Sequence, residues 1–93
     1  MTSKEKMVYT QWAKDMDAEA TARSEMFREM QKLFESHGGG KASCSLLDNF
    51  KYLMTSNDPH VRDTALQIYT RYYEADAKFD AYAKLGSALA NVQ

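Results

Sequence analysis

The chain is poor in the residues that break, staple or anchor a polypeptide. It has one proline and four glycines in 93 residues, and three of the glycines form the single run Gly38-Gly39-Gly40. Long helices are therefore unopposed over most of its length. A lone cysteine, Cys44, makes no internal disulfide, and a reducing compartment is the expected setting. Net charge is close to absent: twelve Lys and Arg oppose thirteen Asp and Glu. That leaves no basic excess for phosphates, which argues against nucleic acid, and no acidic tail. The longest apolar runs are three residues, Met7-Val8-Tyr9 among them, so no membrane span is expected. The opening Met-Thr-Ser-Lys-Glu-Lys carries no apolar stretch of the secretory kind, so a cytoplasmic protein is expected.

Branched aliphatics are scarce too. Only eleven residues are Leu, Ile or Val, against twelve Ala, eleven aromatics and six Met. So few large aliphatics raise the question of disorder, but disordered chains pair low hydrophobicity with high net charge, which is missing here. The expectation is one folded, all-α domain over residues 1–93, with a thin core.

Three helices are expected, over about 3–36, 45–55 and 58–90. The first is rich in Ala, Glu, Met, Lys and Gln and ends at His37-Gly38-Gly39-Gly40. The second opens on a capping-box pattern, Ser45-Leu-Leu-Asp48, with Leu46, Leu47, Phe50, Leu53 and Met54 on its apolar face. Asp58-Pro59 caps the third: Asp is a good N-cap, and proline loses nothing at a first helical position.

The third helix carries the clearest pattern. Val61, Ala65, Ile68, Tyr72, Ala75, Phe79, Tyr82, Gly86 and Leu89 alternate four and three residues apart, an unbroken heptad seam. Leu66, Tyr69, Tyr73, Ala83 and Leu85 widen it beyond what a two-stranded coil needs. In the first helix, Tyr9, Trp12 and Met16, then Met26, Met30 and Leu33, form a similar seam interrupted by Glu19 and Arg23. That interruption reads as an i, i+4 ion pair that either sets the register or partner choice of a bundle or faces water where the stripe drifts, the drift being the favoured reading.

A short middle helix implies an antiparallel hairpin of the two long ones. The expected register pairs Trp12 with Tyr82, Phe27 with Leu66 and Ile68, and Ala18, Ala20 and Ala22 with Ala75 and Ala77 at a small-residue waist. Two wide apolar faces cannot all be hidden in one hairpin, so a homodimer completing a bundle is expected.

The candidate sites are modest. Gly39, Gly40, Lys41, Ser43 and Ser45 precede a helix N-terminus and form the candidate for a small anion or nucleotide. The loop lacks the preceding strand and the Gly-Lys-Ser/Thr order of a P-loop. Cys44, His37 and His60, the only thiol and imidazoles, are with Asp58 the candidates for a Cys–His pair or a metal site, but their spacing matches no zinc pattern. Asp15, Glu19, Glu25, Glu29, Asp76 and Asp80 form no Glu-x-x-His motif for a di-metal bundle. No cofactor is expected. Tyr69, Tyr72 and Tyr73 with Arg62 and Arg71 suit a protein partner better than bases, because Asp63, Glu74 and Asp76 break any positive track.

Residues 45–66, with a Leu-rich helix and the turn Asp58-Pro-His-Val-Arg-Asp-Thr-Ala65, resemble one HEAT-type helical repeat. The resemblance covers about a quarter of the chain, has no second copy, and implies a helix–turn–helix with Val61 and Ala65 facing inward.

Together these features suggest a non-enzymatic interaction protein acting through Tyr/Met-rich helix faces, with Tyr69, Tyr73, Arg62, Arg71, Glu19 and Arg23 as contact residues. Its size suits an adaptor, a chaperone or a phage-like inhibitor of a larger complex. The alternative is a regulatory domain with an anion in the glycine loop.

Overall fold

The computed structural model describes residues 2–38 and 40–91, the last without the side chains of Leu89 and Asn91. Among these residues there are three helices and no strands: α1, Ser3–Gly38; α2, Leu46–Met54; and α3, Pro59–Asn91. The chain is all-α.

Each helix start has a side-chain cap. Thr2 and Glu5 cap α1 reciprocally: the Glu5 N–H donates to Thr2 Oγ1 at 3.2 Å and the Thr2 N–H donates to Glu5 Oε2 at 3.3 Å. This capping box satisfies two otherwise orphaned donors and sets the helix start at Ser3, where it was expected. Ser45 accepts from the Asp48 N–H at 3.3 Å at the start of α2. Asp58 Oδ1 accepts from the His60 N–H at 2.9 Å at the start of α3, with Pro59 in the first turn as expected. The α1 helix continues through Gly38, which is half-buried beneath the rings of Phe34 and Tyr52.

The early part of α1 lies against the late part of α3, since the Trp12 indole N–H donates to the Tyr82 carbonyl at 2.7 Å. Further along, Arg23 meets Asp76. The loop after α1 doubles back, so that Ser43 meets Gln31 and Ala42 meets Glu35. From there α2 runs in the same sense as α1, with Tyr52 stacking on Phe34 and bonding the Gly38 carbonyl. It runs counter to α3: Phe50 stacks on Tyr69, and Arg62 reaches back to the Ser56 carbonyl.

The core lies where all three helices meet. Met26, Met30, Leu46, Leu53, Val61, Ala65 and Ile68 are buried there, packed by Phe27, Leu33, Phe34, Phe50, Tyr69 and Tyr72. Every described seam position on α3 from Val61 to Gly86 is buried or half-buried; Leu89, the last, lies outside the described side chains. On α2 the buried face is rolled relative to the expected one. Leu46, Asn49 and Leu53 point inward, while Leu47 and Met54 are exposed. The molecule is long, 57 × 19 × 17 Å.

The middle of the molecule is not the small-residue waist expected. Ala75 is buried and Ala20 and Ala22 are half-buried, but Ala18 and Ala77 are exposed. The guanidinium of Arg23 fills that level instead. It bonds Asp76 Oδ1 at 2.8 Å and lies 4.3 Å from the centre of the Phe79 ring. The expected Glu19–Arg23 pair is thereby corrected, because Arg23 crosses to α3 rather than pairing along its own helix. Among the described residues the one intrahelical ion pair is Asp80–Lys84, at 3.1 Å and exposed.

Candidate functional surface

The rolled α2 creates a surface that neither helix would present alone. Leu47, Phe50 and Met54 sit three and four residues apart, so they share one flank of α2. Leu66, Tyr69 and Tyr73 do the same on α3. Phe50 joins the two rows, its ring 4.1 Å from that of Tyr69. Tyr69 lies 4.6 Å from Tyr73, and Tyr73 meets Tyr72 edge-on at 5.5 Å. Phe50, Tyr69 and Tyr72 are half-buried and anchor the ladder, while Leu47, Met54, Leu66 and Tyr73 are exposed by 37 to 49%. Ring-on-ring packing of this kind holds aromatic side chains in place before anything binds.

The phenol of Tyr73 is held protonated above its ordinary range. Hydrogen bonding to Tyr69 is the largest cause, followed by electrostatic interaction with Tyr69, desolvation, and the carboxylate of Asp76. A neutral phenol is what this surface offers at neutral pH.

The expected contact residues divide into four groups. Tyr69 and Tyr73 lie within the ladder. Arg62 lies near it by helix position, but its guanidinium is tied at 2.6 Å to the Ser56 carbonyl and braces the α2–α3 turn. Arg71 is exposed and two residues from both Tyr69 and Tyr73, which turns it to another side of α3. Glu19 and Arg23 belong to the middle of the molecule, with Arg23 engaged by Asp76 and Phe79.

In the glycine loop, Gly39 lies outside the described residues, and Gly40 and Lys41 are exposed. Of the residues expected to hold an anion, Ser43 and Ser45 have their N–H groups engaged within the chain, as has the neighbouring Ala42. Ser43 donates to Asn49 Oδ1 at 2.9 Å, Ser45 to Ser43 Oγ at 3.0 Å, and Ala42 to the Glu35 carboxylate at 3.5 Å. The reason is Asn49, which is fully buried and also donates to the Ser43 carbonyl at 2.9 Å. Its amide pairs with both backbone groups of one residue, much as a neighbouring strand would. The signal for it was a polar residue three after Leu46 and four before Leu53, on the inward stripe. Cys44, His37 and His60 are exposed. No group of three metal-binding side chains occurs among the described residues. No helix among them is long and apolar enough to cross a membrane.

A second feature lies in the trough between α1 and α3. A cleft of about 290 Å³ is lined by Arg23, Ser24, Phe27, Arg28 and Tyr72. Toward the far end follows a groove of about 410 Å³ lined by Trp12, Met16, Phe79, Ala83, Gly86, Ser87 and Ala90.

No family model, no curated protein and no solved structure matches the chain.

Proposed function

We propose that the chain is a non-enzymatic protein-interaction module, an antiparallel hairpin of α1 and α3 braced at one end by α2. It would act as a small adaptor, chaperone or inhibitor by presenting the Phe50–Tyr69–Tyr73 ladder, with Leu47, Met54 and Leu66 around it, to a larger protein. The observation that carries this reading is the continuity of the ladder across two helices. Tyrosine is prominent among residues that dominate binding energy, and pre-stacked rings lose little freedom on binding. The methionine contribution is narrower than composition suggested, because Met26 and Met30 are spent on the core and Met54 alone borders the ladder. The anion-binding alternative has less support, since the loop's donors at Ala42, Ser43 and Ser45 are engaged internally.

The test is affinity capture from the protein's own cells with wild-type chain and with Tyr73→Ala plus Leu66→Ser. Both positions are exposed, so the variant should fold with little loss of stability. A partner held by the wild type and lost from the variant supports the reading. The same set of proteins on both would refute it.

A further inference from the structure

The three-helix core occupies only one end of the molecule. Of the buried apolar residues, all but Ala75 belong to the cluster around Met30 and Leu53, where α2 packs. Beyond Arg23 toward the other end, α1 and α3 have no third helix over them. Tyr9, Trp12, Met16, Phe79 and Tyr82 are half-buried there, and no described side chain between residues 2 and 22 is fully buried.

The uncovered groove continues the trough that α2 fills. Met16 lies eighteen residues before Phe34, which stacks on Tyr52 of α2. Ser87 lies eighteen residues after Tyr69, which stacks on Phe50 of α2. Eighteen residues are about five full turns, so each pair shares a face. At one end the trough holds a helix of this chain. At the other it is open, about 410 Å³ in volume, and none of its seven lining residues is charged. Charge depletion of that kind marks the centre of an interface.

We infer that this open end is a self-association surface and that its occupant is a second copy of the chain. Area supports a second copy. A folded monomer of this mass exposes about 5,500 Å², whereas the chain exposes 6505 Å². The excess is roughly 1,000 Å², close to the share of about 800 Å² per partner in a standard stable interface. Shape agrees: the radius of gyration is 17.5 Å, against about 12 Å for a compact domain of this length. Charge permits it as well. Residues 2–22 and 76–91 carry five Lys and six Asp or Glu, so two such ends meet without strong repulsion. A two-fold pairing lays the same groove against itself and builds a bundle of four long-helix segments.

The inference rests on the hairpin reading above but not on the aromatic ladder, and its test needs no partner. Sedimentation equilibrium of the purified chain, up to hundreds of micromolar, should give twice the chain mass. Ala83→Glu and Ser87→Arg place a charge in the groove at positions that are exposed in the single chain, so folding, followed by helical circular dichroism, should be retained. Each should weaken the dimer about a hundredfold or more, because an unpaired charge is buried in both copies. Tyr73→Ala should leave the dimer intact while removing the captured partner. A wild type that stays monomeric throughout overturns the inference. So does a dimer that survives both groove variants, or one that Tyr73→Ala dissociates. Loss of partner capture with an intact dimer, or the reverse, tells the two readings apart.

Discussion

Replacing Asn49 with leucine should destabilise the protein, although the change makes the inward face of α2 wholly apolar. Asn49 is 0% exposed, and both ends of its amide are used, Oδ1 by the Ser43 N–H and Nδ2 by the Ser43 carbonyl, each at 2.9 Å. Leucine has the same branched shape and number of side-chain heavy atoms, and the added apolar burial favours the variant by about 1–2 kcal/mol. Against this, Ser43 keeps its backbone groups and loses their partner. A buried donor or acceptor left unmade costs about 1–3 kcal/mol. The N–H has no second partner in sight, and the carbonyl keeps only the long 3.4 Å bond from Gln31. Two such losses outweigh the gain, leaving a net destabilisation of about 2 kcal/mol. Asn49→Ala lacks the compensating burial and leaves space behind, so it should cost about 4 kcal/mol.

These are large fractions of a stability of about 5–14 kcal/mol expected for a domain this size. Thermal unfolding followed by helical circular dichroism should show a fall in Tm of about 10 °C for Asn49→Leu and more for Asn49→Ala. Urea unfolding should give a lower midpoint with an unchanged slope if the two states keep their surfaces. An Asn49→Leu variant as stable as the wild type, or more so, would refute the reasoning. Burial of the stripe would then matter more than the tie between α2 and the loop before it.

Three further outcomes follow from single contacts. Gly86→Ala should destabilise the protein even though alanine is the better helix former by about 1 kcal/mol. A Cβ at that position overlaps the Trp12 ring, so the indole must leave the Tyr82 carbonyl and its fluorescence should shift; a gain in Tm with an unmoved spectrum would contradict this. Tyr73→Phe should change the alkaline limb of stability. The folded-state pKa of Tyr73 is raised, so its neutral form adds stability that is complete below the unfolded pKa of about 10 and is lost as pH climbs through the folded value. Unfolding midpoints measured across that window should fall less steeply in the phenylalanine variant, and parallel profiles would remove the claim. Asp76→Ala should cost about 1 kcal/mol by stranding Arg23 across the helices, and Asp80→Ala, in an exposed pair, only a few tenths; urea midpoints that rank them the other way would count against the cross-helix role.

What could be read from the sequence was what repeats along a helix. The four-three spacing of Val61 to Gly86 is a property of one helix face, so it survives into the fold with each described position at least half-buried. The caps at Ser45 and Asp58 are equally local. Arg23 escaped because a linear pattern counts a charge as an interruption, while a guanidinium can span two helices and lie on a ring. Asn49 escaped for a related reason: an amide belongs on an apolar stripe only when a backbone elsewhere satisfies it, and that backbone is the returning loop at Ser43. Its inward turn rolls Leu47 and Met54 to the outside. The tyrosines of the ladder were visible as residues on α3, but their junction with Phe50 was not, because it depends on that roll. The apolar surface left for partners is therefore set by a polar side chain, and Asn49→Leu tests the proposed interface as well as the core. If the leucine variant folds with α2 re-rolled, Leu47 and Met54 should become buried, and partner capture should fall even with Tyr69 and Tyr73 untouched.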